Sequence, residues 1–370
     1  MSVSVRTIVI SLFFIIVIPC QIKADVHYDD GQIHDINVAI NDSVEIYNAD
    51  AHTGAPTTVN LISGGVIQCS SVDVYDSSFF NLNTGSFANI VNGWDHSQVN
   101  ISGGRIFNLA THANSRVIMT GGQIDRLDPF GNSTVDITGG SLGVVCAMEN
   151  SQVTVSNASV EWLYPELRQN SSLSLTNTSL GEYHSMDTYD NSHFTLSTGT
   201  SLDQIRSFGS STATISGGSA VWISAYANSR VTMTGGQIEC LDAFENSIVD
   251  MTGGHVENLG AWGDSAVNIT GGSLTSLDAY ENGCIDIFGG EFYGIYTNGS
   301  GLIKLYGTDF NYNYGFITDM TGTLTGTLAS GDFIQINFFR YNDGAILLVP
   351  EPATLLLLGL GGIALIKKRN

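Results

Sequence analysis

Gly-Gly pairs recur through the middle of the chain at a fixed step of 18 residues, from Gly103 to Gly121 to Gly139 and again from Gly217 through Gly235, Gly253 and Gly271 to Gly289. Each pair closes a near-identical phrase: N-S-T-V-D-I-T-G-G from Asn132, N-S-R-V-T-M-T-G-G from Asn228, N-S-I-V-D-M-T-G-G from Asn246. So short and regular a period restricts the chain to a solenoid, in which each copy buries its apolar side only by stacking on the next. Three worn copies, marked by Asn157, Asn177 and Thr198 at steps of 18 to 21 residues, fill the gap between Gly139 and Gly217. With Gly64 and Gly85 included, residues 60–305 hold about 13 turns.

The unit reads as strand, turn, strand, turn. In Thr134-Val135-Asp136-Ile137-Thr138 apolar and polar residues alternate, which places Val135 and Ile137 on one face of a strand. Gly139-Gly140 then allows backbone angles closed to other residues, and a second apolar pair follows, as in Ile124 and Leu127 or Ile238 and Leu241. Eighteen residues are too few for a helical hairpin that also keeps alternating strands. The expected fold is all-β: a single-stranded parallel β-helix, or β-solenoid, rising about 4.8 Å per coil. Aliphatic residues do not recur every six, which speaks against the left-handed hexapeptide type and for a right-handed coil. Val135, Val231, Val249 and Val267 should share one inward column.

Aligning the copies gives further columns. Asn114, Asn132, Asn150, Asn228, Asn246 and Asn282 mark a corner where amide side chains can bond along the stack and the backbone can take left-handed angles. An aromatic column includes Tyr75, Trp94, Phe130, Tyr189, Phe208, Tyr226, Phe244, Trp262 and Tyr280, with His112 and Met148 in its gaps. Recurrence in nearly every coil, and no evident polar fringe, predict a ladder packed at a corner of the core. The alternative is a platform on which sugar rings stack, carried by Trp94, Tyr189, Tyr226, Trp262 and Tyr280.

Charge excludes one class of partner. The 13 basic residues include Arg6, Lys23, Lys367, Lys368 and Arg369, so residues 25–352 keep eight against all 35 acids, a net charge near −27. Phosphate backbones need basic patches, so nucleic acid is not a partner. The two ends explain where the five other basic residues belong. Arg6 precedes the apolar run Ile8–Ile18, and Ala24 suits the last residue before signal-peptide cleavage, so residues 1–24 read as an export leader. At the other end Pro350-Glu351-Pro352 leads into 14 uncharged residues, Ala353–Ile366, closed by Lys367, Lys368 and Arg369. As a helix this run spans roughly 21 Å, short of a ~30 Å hydrocarbon core but adequate for a temporary anchor with its basic end in the cytoplasm.

In motif, order and position the tail at 350–370 resembles the PEP-CTERM sorting signal of Gram-negative bacteria. The resemblance implies a membrane protease of the exosortase type as partner, which recognises the Pro-Glu-Pro triplet and removes the tail. It implies export past a transient inner-membrane anchor to the cell surface or extracellular matrix. Residues 25–59 read as an N-terminal cap over the open edge of the first coil, and 306–349 as strands that finish the rod before the tail.

No catalytic constellation stands out. Acidic residues fall in columns, Asp73, Asp128, Asp187, Asp242 and Asp278 in one, and Asp136, Asp250 and Asp286 in another, whereas a catalytic site is a local break in a repeat. The arginines are scattered, so neither the cationic base of a lyase nor the paired carboxylates of a hydrolase are evident. Calcium-binding nonapeptide repeats would show a third glycine and an Asp after each pair, and both are missing. No metal or cofactor is expected. Cys69, Cys146, Cys240 and Cys284 lie in different columns and should stay unbridged. The sequence thus predicts a non-catalytic, exported structural or adhesive protein, with extracellular polysaccharide as a possible partner. A carbohydrate-binding module or polysaccharide-degrading enzyme on the same scaffold is the alternative.

Overall fold

The computed structural model describes residues 25–161, 166–181 and 184–351; the leader with Ala24, and Pro352 with the tail beyond it, lie outside the described residues. The described chain winds into a β-solenoid of about 15 turns, with one short helical turn at Ala49–His52. At about 4.8 Å per coil the rod is on the order of 70 Å long.

Each coil crosses two facing walls, as two strands or, in Thr212–Ala225, Arg230–Ala243, Ala266–Glu281 and Cys284–Gly299, as one long strand that runs through the glycine pair. On one wall Gln98–Ile101, Arg116–Met119 and Thr134–Ile137 pair in parallel, so that Val99, Val117 and Val135 sit side by side. On the other, Arg105–Thr111 pairs with Gln123–Pro129, aligning Ile106 with Ile124 and Leu109 with Leu127. Alternation therefore buries every second side chain between the walls. Val135, Val231, Val249 and Val267 are each at most 1% exposed, as the inward column requires. The core is one continuous aliphatic stripe from Ile36 to Leu348, in which every rung depends on its neighbours.

The glycine pair is dictated by the coil below. Gly122 has φ +88°, and a Cβ there would stand 2.7 Å from the carbonyl oxygen of Gly103 in the preceding coil. Backbone angle and close approach both demand glycine. The same reasoning explains why the solenoid begins earlier than its repeat. Ile33–Ile36 pairs in register with Thr58–Leu61, and Val26–Tyr28 with Val44–Ile46. Residues 25–59, read from sequence as a cap, are thus the first coils themselves. Among the described residues no coil lies beneath the first one, and its corner at Asn37-Val38 carries no glycine.

At the opposite corner the sequence places left-handed angles on the Asn, but the structure places them one residue earlier. Ala113, Glu149, Ala227, Glu245 and Glu281 have φ between 55° and 61°, as the second residue of a four-residue turn. In the turn beginning at Trp94, the amide of Ser97 donates to the Trp94 carbonyl at 2.9 Å. The Asn ladder itself is present: Asn132 donates to Asn114 at 3.2 Å, Asn150 to Asn132 at 3.0 Å and Asn170 to Asn150 at 2.9 Å. Behind it runs a buried serine column through Ser97, Ser115, Ser133 and Ser151, each at most 1% exposed. Only a small side chain fits where the corner narrows.

The rod's far end closes differently. Thr321–Leu328 and Phe333–Tyr341 form an antiparallel hairpin, whose second strand pairs with Cys284–Gly299. Ala345–Pro350 then lies parallel to Leu302–Thr308, in register from Ala345 opposite Leu302 to Pro350 opposite Gly307. The sorting triplet therefore starts at the end of a paired strand, with Pro350 ending it and Glu351 following.

Candidate functional site

Two surface features stand out on an otherwise repetitive rod: the aromatic column, and a place where the repeat lengthens.

The aromatic side chains project outward. The residue before each ring is small and turned inward, as with Gly93, Ala225, Ala243, Ala261 and Ala279, all buried. Parity then places Trp94, Tyr226, Phe244, Trp262 and Tyr280 outside and half-buried, which corrects the expectation of a ladder packed in the core. Burial comes from neighbouring rings. Trp94 stacks between Tyr75 at 6.2 Å and His112 at 4.0 Å, and Tyr226 between Phe208 at 5.0 Å and Phe244 at 4.9 Å. Trp262 lies between Phe244 at 6.2 Å and Tyr280 at 3.8 Å, the latter pair 10° from parallel. Tyr189 carries Phe208 on one face at 5.1 Å and the Arg168 guanidinium 4.8 Å from its ring centre. The faces a sugar would stack on are thus taken by other rings, and solvent meets mainly ring edges.

A polar fringe, unexpected from sequence, accompanies the ladder. The acidic column two residues earlier faces the same side: Trp94 Nε1 donates to Asp73 at 3.4 Å, Trp262 Nε1 to Asp242 at 3.2 Å, and the Tyr189 hydroxyl to Asp187 at 3.3 Å. Burial beside these rings raises the carboxyls of Asp242 and Asp278 above the usual carboxylate range. Burial, with the charges of Glu45 and Tyr75 adding to it, also raises the Tyr47 hydroxyl.

The arginines that look scattered in sequence are ordered in space. Arg116 meets Asp136 at 2.8 Å, Arg206 meets Asp187 at 2.6 Å and Lys304 meets Asp286 at 3.0 Å, each pair bridging adjacent coils. Arg105, Arg126, Arg168 and Arg230 pair with Asp125, Asp128, Glu166 and Asp250, and Arg340 donates to the carbonyls of Gly344 and Ile317. Because the arginine ends are about half exposed in most of them, these pairs add little stability. Together they engage all eight basic side chains of residues 25–352. No group of three or more His, Cys, Asp or Glu among the described residues could hold a metal ion. Cys146, Cys240 and Cys284 are half-buried free thiols, and burial raises the first two.

The break lies in the worn copies. Four residues separate Leu142 from Ala147, but six separate their partners Val160 and Leu167, and seven separate Leu180 from Thr188; on the next coil Leu202 and Ser207 are again four apart. Those two and three extra residues account for the sequence steps of 20 and 21 between Asn157, Asn177 and Thr198. The longer steps were therefore the signal for a site that column-reading passes over. They interrupt half of one wall: its ladder through Ser159–Val160 ends at Ser179–Leu180 and resumes only where Ser201 and Leu202 pair with Ser219 and Ala220, while Glu166–Leu167, Ser185–Thr188 and residues 204–207 stay paired throughout.

Between these edges lies an open groove of about 970 Å³ that extends over the following coils. Ser201, Ser219, Gln237 and His255 align in register along it, with the Ser201 and Ser219 hydroxyls 2.7 Å apart. Asp203, Glu239 and Glu257 also line it. At its interrupted end His184 is 4% exposed, with neither ring nitrogen hydrogen-bonded. Its amide donates to Asp203 Oδ2 at 2.8 Å, and its carbonyl accepts the amides of Asp203 and Gln204 at 3.0 and 3.1 Å.

No curated protein and no solved structure matches the chain. Residues 348–369 match the PEP-CTERM protein-sorting motif, so this is an exported protein whose C-terminal signal is handled by an exosortase at the membrane.

Proposed function

We propose that the chain is a non-catalytic rod that serves as a structural or adhesive element at the cell surface or in the extracellular matrix. The observation that carries this reading is the engagement of every basic side chain between the leader and the tail. The ion pairs are spread along the rod, five of the seven made by Arg and Lys stitching coil to coil, and are not gathered around a reacting bond. A lyase would require one of those cations to be free as a base beside its substrate. The aliphatic stripe, the Asn ladder and the aromatic ladder likewise run along the rod and strengthen it lengthwise. The sorting motif supports delivery outside the cell.

The test is fractionation of producing cells with and without their exosortase, together with incubation of the recovered protein with extracellular polysaccharide. The expected result is a tail-less protein in the surface or matrix fraction, membrane retention without the exosortase, and no new reducing or unsaturated sugar ends. Recovery in the periplasm, or release of such ends, refutes the proposal.

A further inference from the structure

We infer that the groove opened by the lengthened coils, with Trp222 beside it, binds a neutral glycan chain lying along the rod axis. This deepens the adhesive reading by naming the surface and the ligand class.

Among the described tryptophans, Trp222 is the one that the ladder does not use. It lies in the strand Thr212–Ala225, where Val221 lines the groove and both residues sit between inward-facing Ala220 and Ile223. Its ring is 51% exposed and stacks with no other ring among the described residues. Trp94 and Trp262 have their faces covered, whereas Trp222 offers the flat apolar surface on which the C–H face of a sugar packs.

The groove supplies the polar half of such a site. From Ser201 through Ser219 and Gln237 to His255 is three coil steps, or about 14 Å of axis, with a hydrogen-bonding side chain at each ~4.8 Å rung, and Ser179 lines the groove on the other side of the break. Hydroxyl and amide groups both donate and accept, as sugar hydroxyls do. Glu239 and Glu257 add acceptors along the same run. His255 uses Nδ1 on Ser273 at 2.8 Å, leaving Nε2 for a ligand. His184, buried with both nitrogens unpaired at the interrupted end, is a polar group the fold itself leaves unsatisfied, which is costly unless something else completes it.

Charge selects among glycans. The carboxylates of Asp203, Glu239 and Glu257 border the groove, and all eight basic residues are engaged by partners of this chain. An anionic polysaccharide would meet repulsion with nothing to offset it. A purely apolar ligand would strand the rungs of hydroxyl and amide groups. A neutral, polyhydroxylated chain satisfies both conditions.

The test is affinity electrophoresis of the processed protein in native gels containing a neutral glucan, galactan or mannan, with alginate as the anionic comparison. Retardation by at least one neutral glycan and none by alginate is expected. Trp222→Ala should weaken it about tenfold or more, as for an anchoring aromatic, and Glu239→Gln should weaken it less, while Trp262→Ala leaves it unchanged. Circular dichroism confirms that each variant is folded. No retardation by any neutral glycan, equal retardation by alginate, or an equal loss with Trp262→Ala overturns the proposal. Fractionation decides separately whether the protein is a matrix element, so the two readings fail independently.

Discussion

Replacing Trp262 by alanine separates a surface ladder from a core one. The side chain loses a close stack with Tyr280 at 3.8 Å, a looser one with Phe244 at 6.2 Å and 21°, and its hydrogen bond to Asp242 at 3.2 Å. Taking about 1 kcal/mol for the close pair, about 0.5 for the looser one and about 0.5–1 for a half-exposed hydrogen bond gives a cost near 2 kcal/mol. Phe194, fully buried in the core, is the internal standard, and its replacement by alanine should cost roughly 3–5 kcal/mol. Urea midpoints of both variants, followed by far-UV circular dichroism, provide the comparison. Stacked coils do not guarantee an all-or-none transition, so the order of the midpoints is the firmer readout. Equal losses in the two variants would mean that the Trp262 ring is buried like Phe194. No loss at Trp262 would mean that the ladder contributes nothing to the rod.

Three further outcomes follow from the same structure. Changing Pro350, Glu351 and Pro352 to alanine should leave the tail attached and the protein in the membrane fraction; a variant of wild-type terminal mass in the medium would refute the sorting role. Because burial raises the Asp242 carboxyl, its charged form costs folding free energy at neutral pH, and that cost is relieved as pH falls through the raised value. Asp242→Asn should therefore raise the urea midpoint at pH 7, with the gain shrinking toward pH 3; a gain that grows at low pH would contradict the sign. Ala227→Gly relieves a non-glycine φ of 57° at a corner where other coils carry Gly131, Gly209 and Gly263, and should stabilise by about 1 kcal/mol, read as a higher melting temperature.

Much of the fold was legible because period and alternation agree. The 18-residue step fixes what lies above what, and the pattern through Val135 and Ile137 fixes what lies inside. The aromatic column was legible as a column but not as a face, since apolar character was allowed to outweigh parity; the alanines at 225, 243 and 261 hold the inward position. The first coils were hidden because the Gly-Gly signal records a clash with the coil beneath, and among the described residues no coil lies beneath the first. The groove was hidden for the opposite reason. Extra residues between Val160 and Leu167 and between Leu180 and Thr188 shift these copies off the 18-residue step, so columns read at that step lose the wall they interrupt. Trp222 stands in register with Gln204 and Cys240, so no aromatic recurs there, and a reading built on recurrence assigns it, like His184, no role.

The strand that ends at Pro350 has a mechanical consequence. Before the tail is cut, any load between membrane and rod passes through Ala345–Pro350, which is held to Leu302–Thr308 over six residue pairs and, at Leu347 and Leu348, to Gly315–Phe316 on its other side. Tension directed along that strand shears all six together. Tension directed along the rod axis opens them one after another, beginning at Pro350, where the tail departs. The anchorage is therefore tough against drag across the rod and weak against lift along it, and an upright rod tugged from its tip would begin to peel at the triplet that sorting must expose.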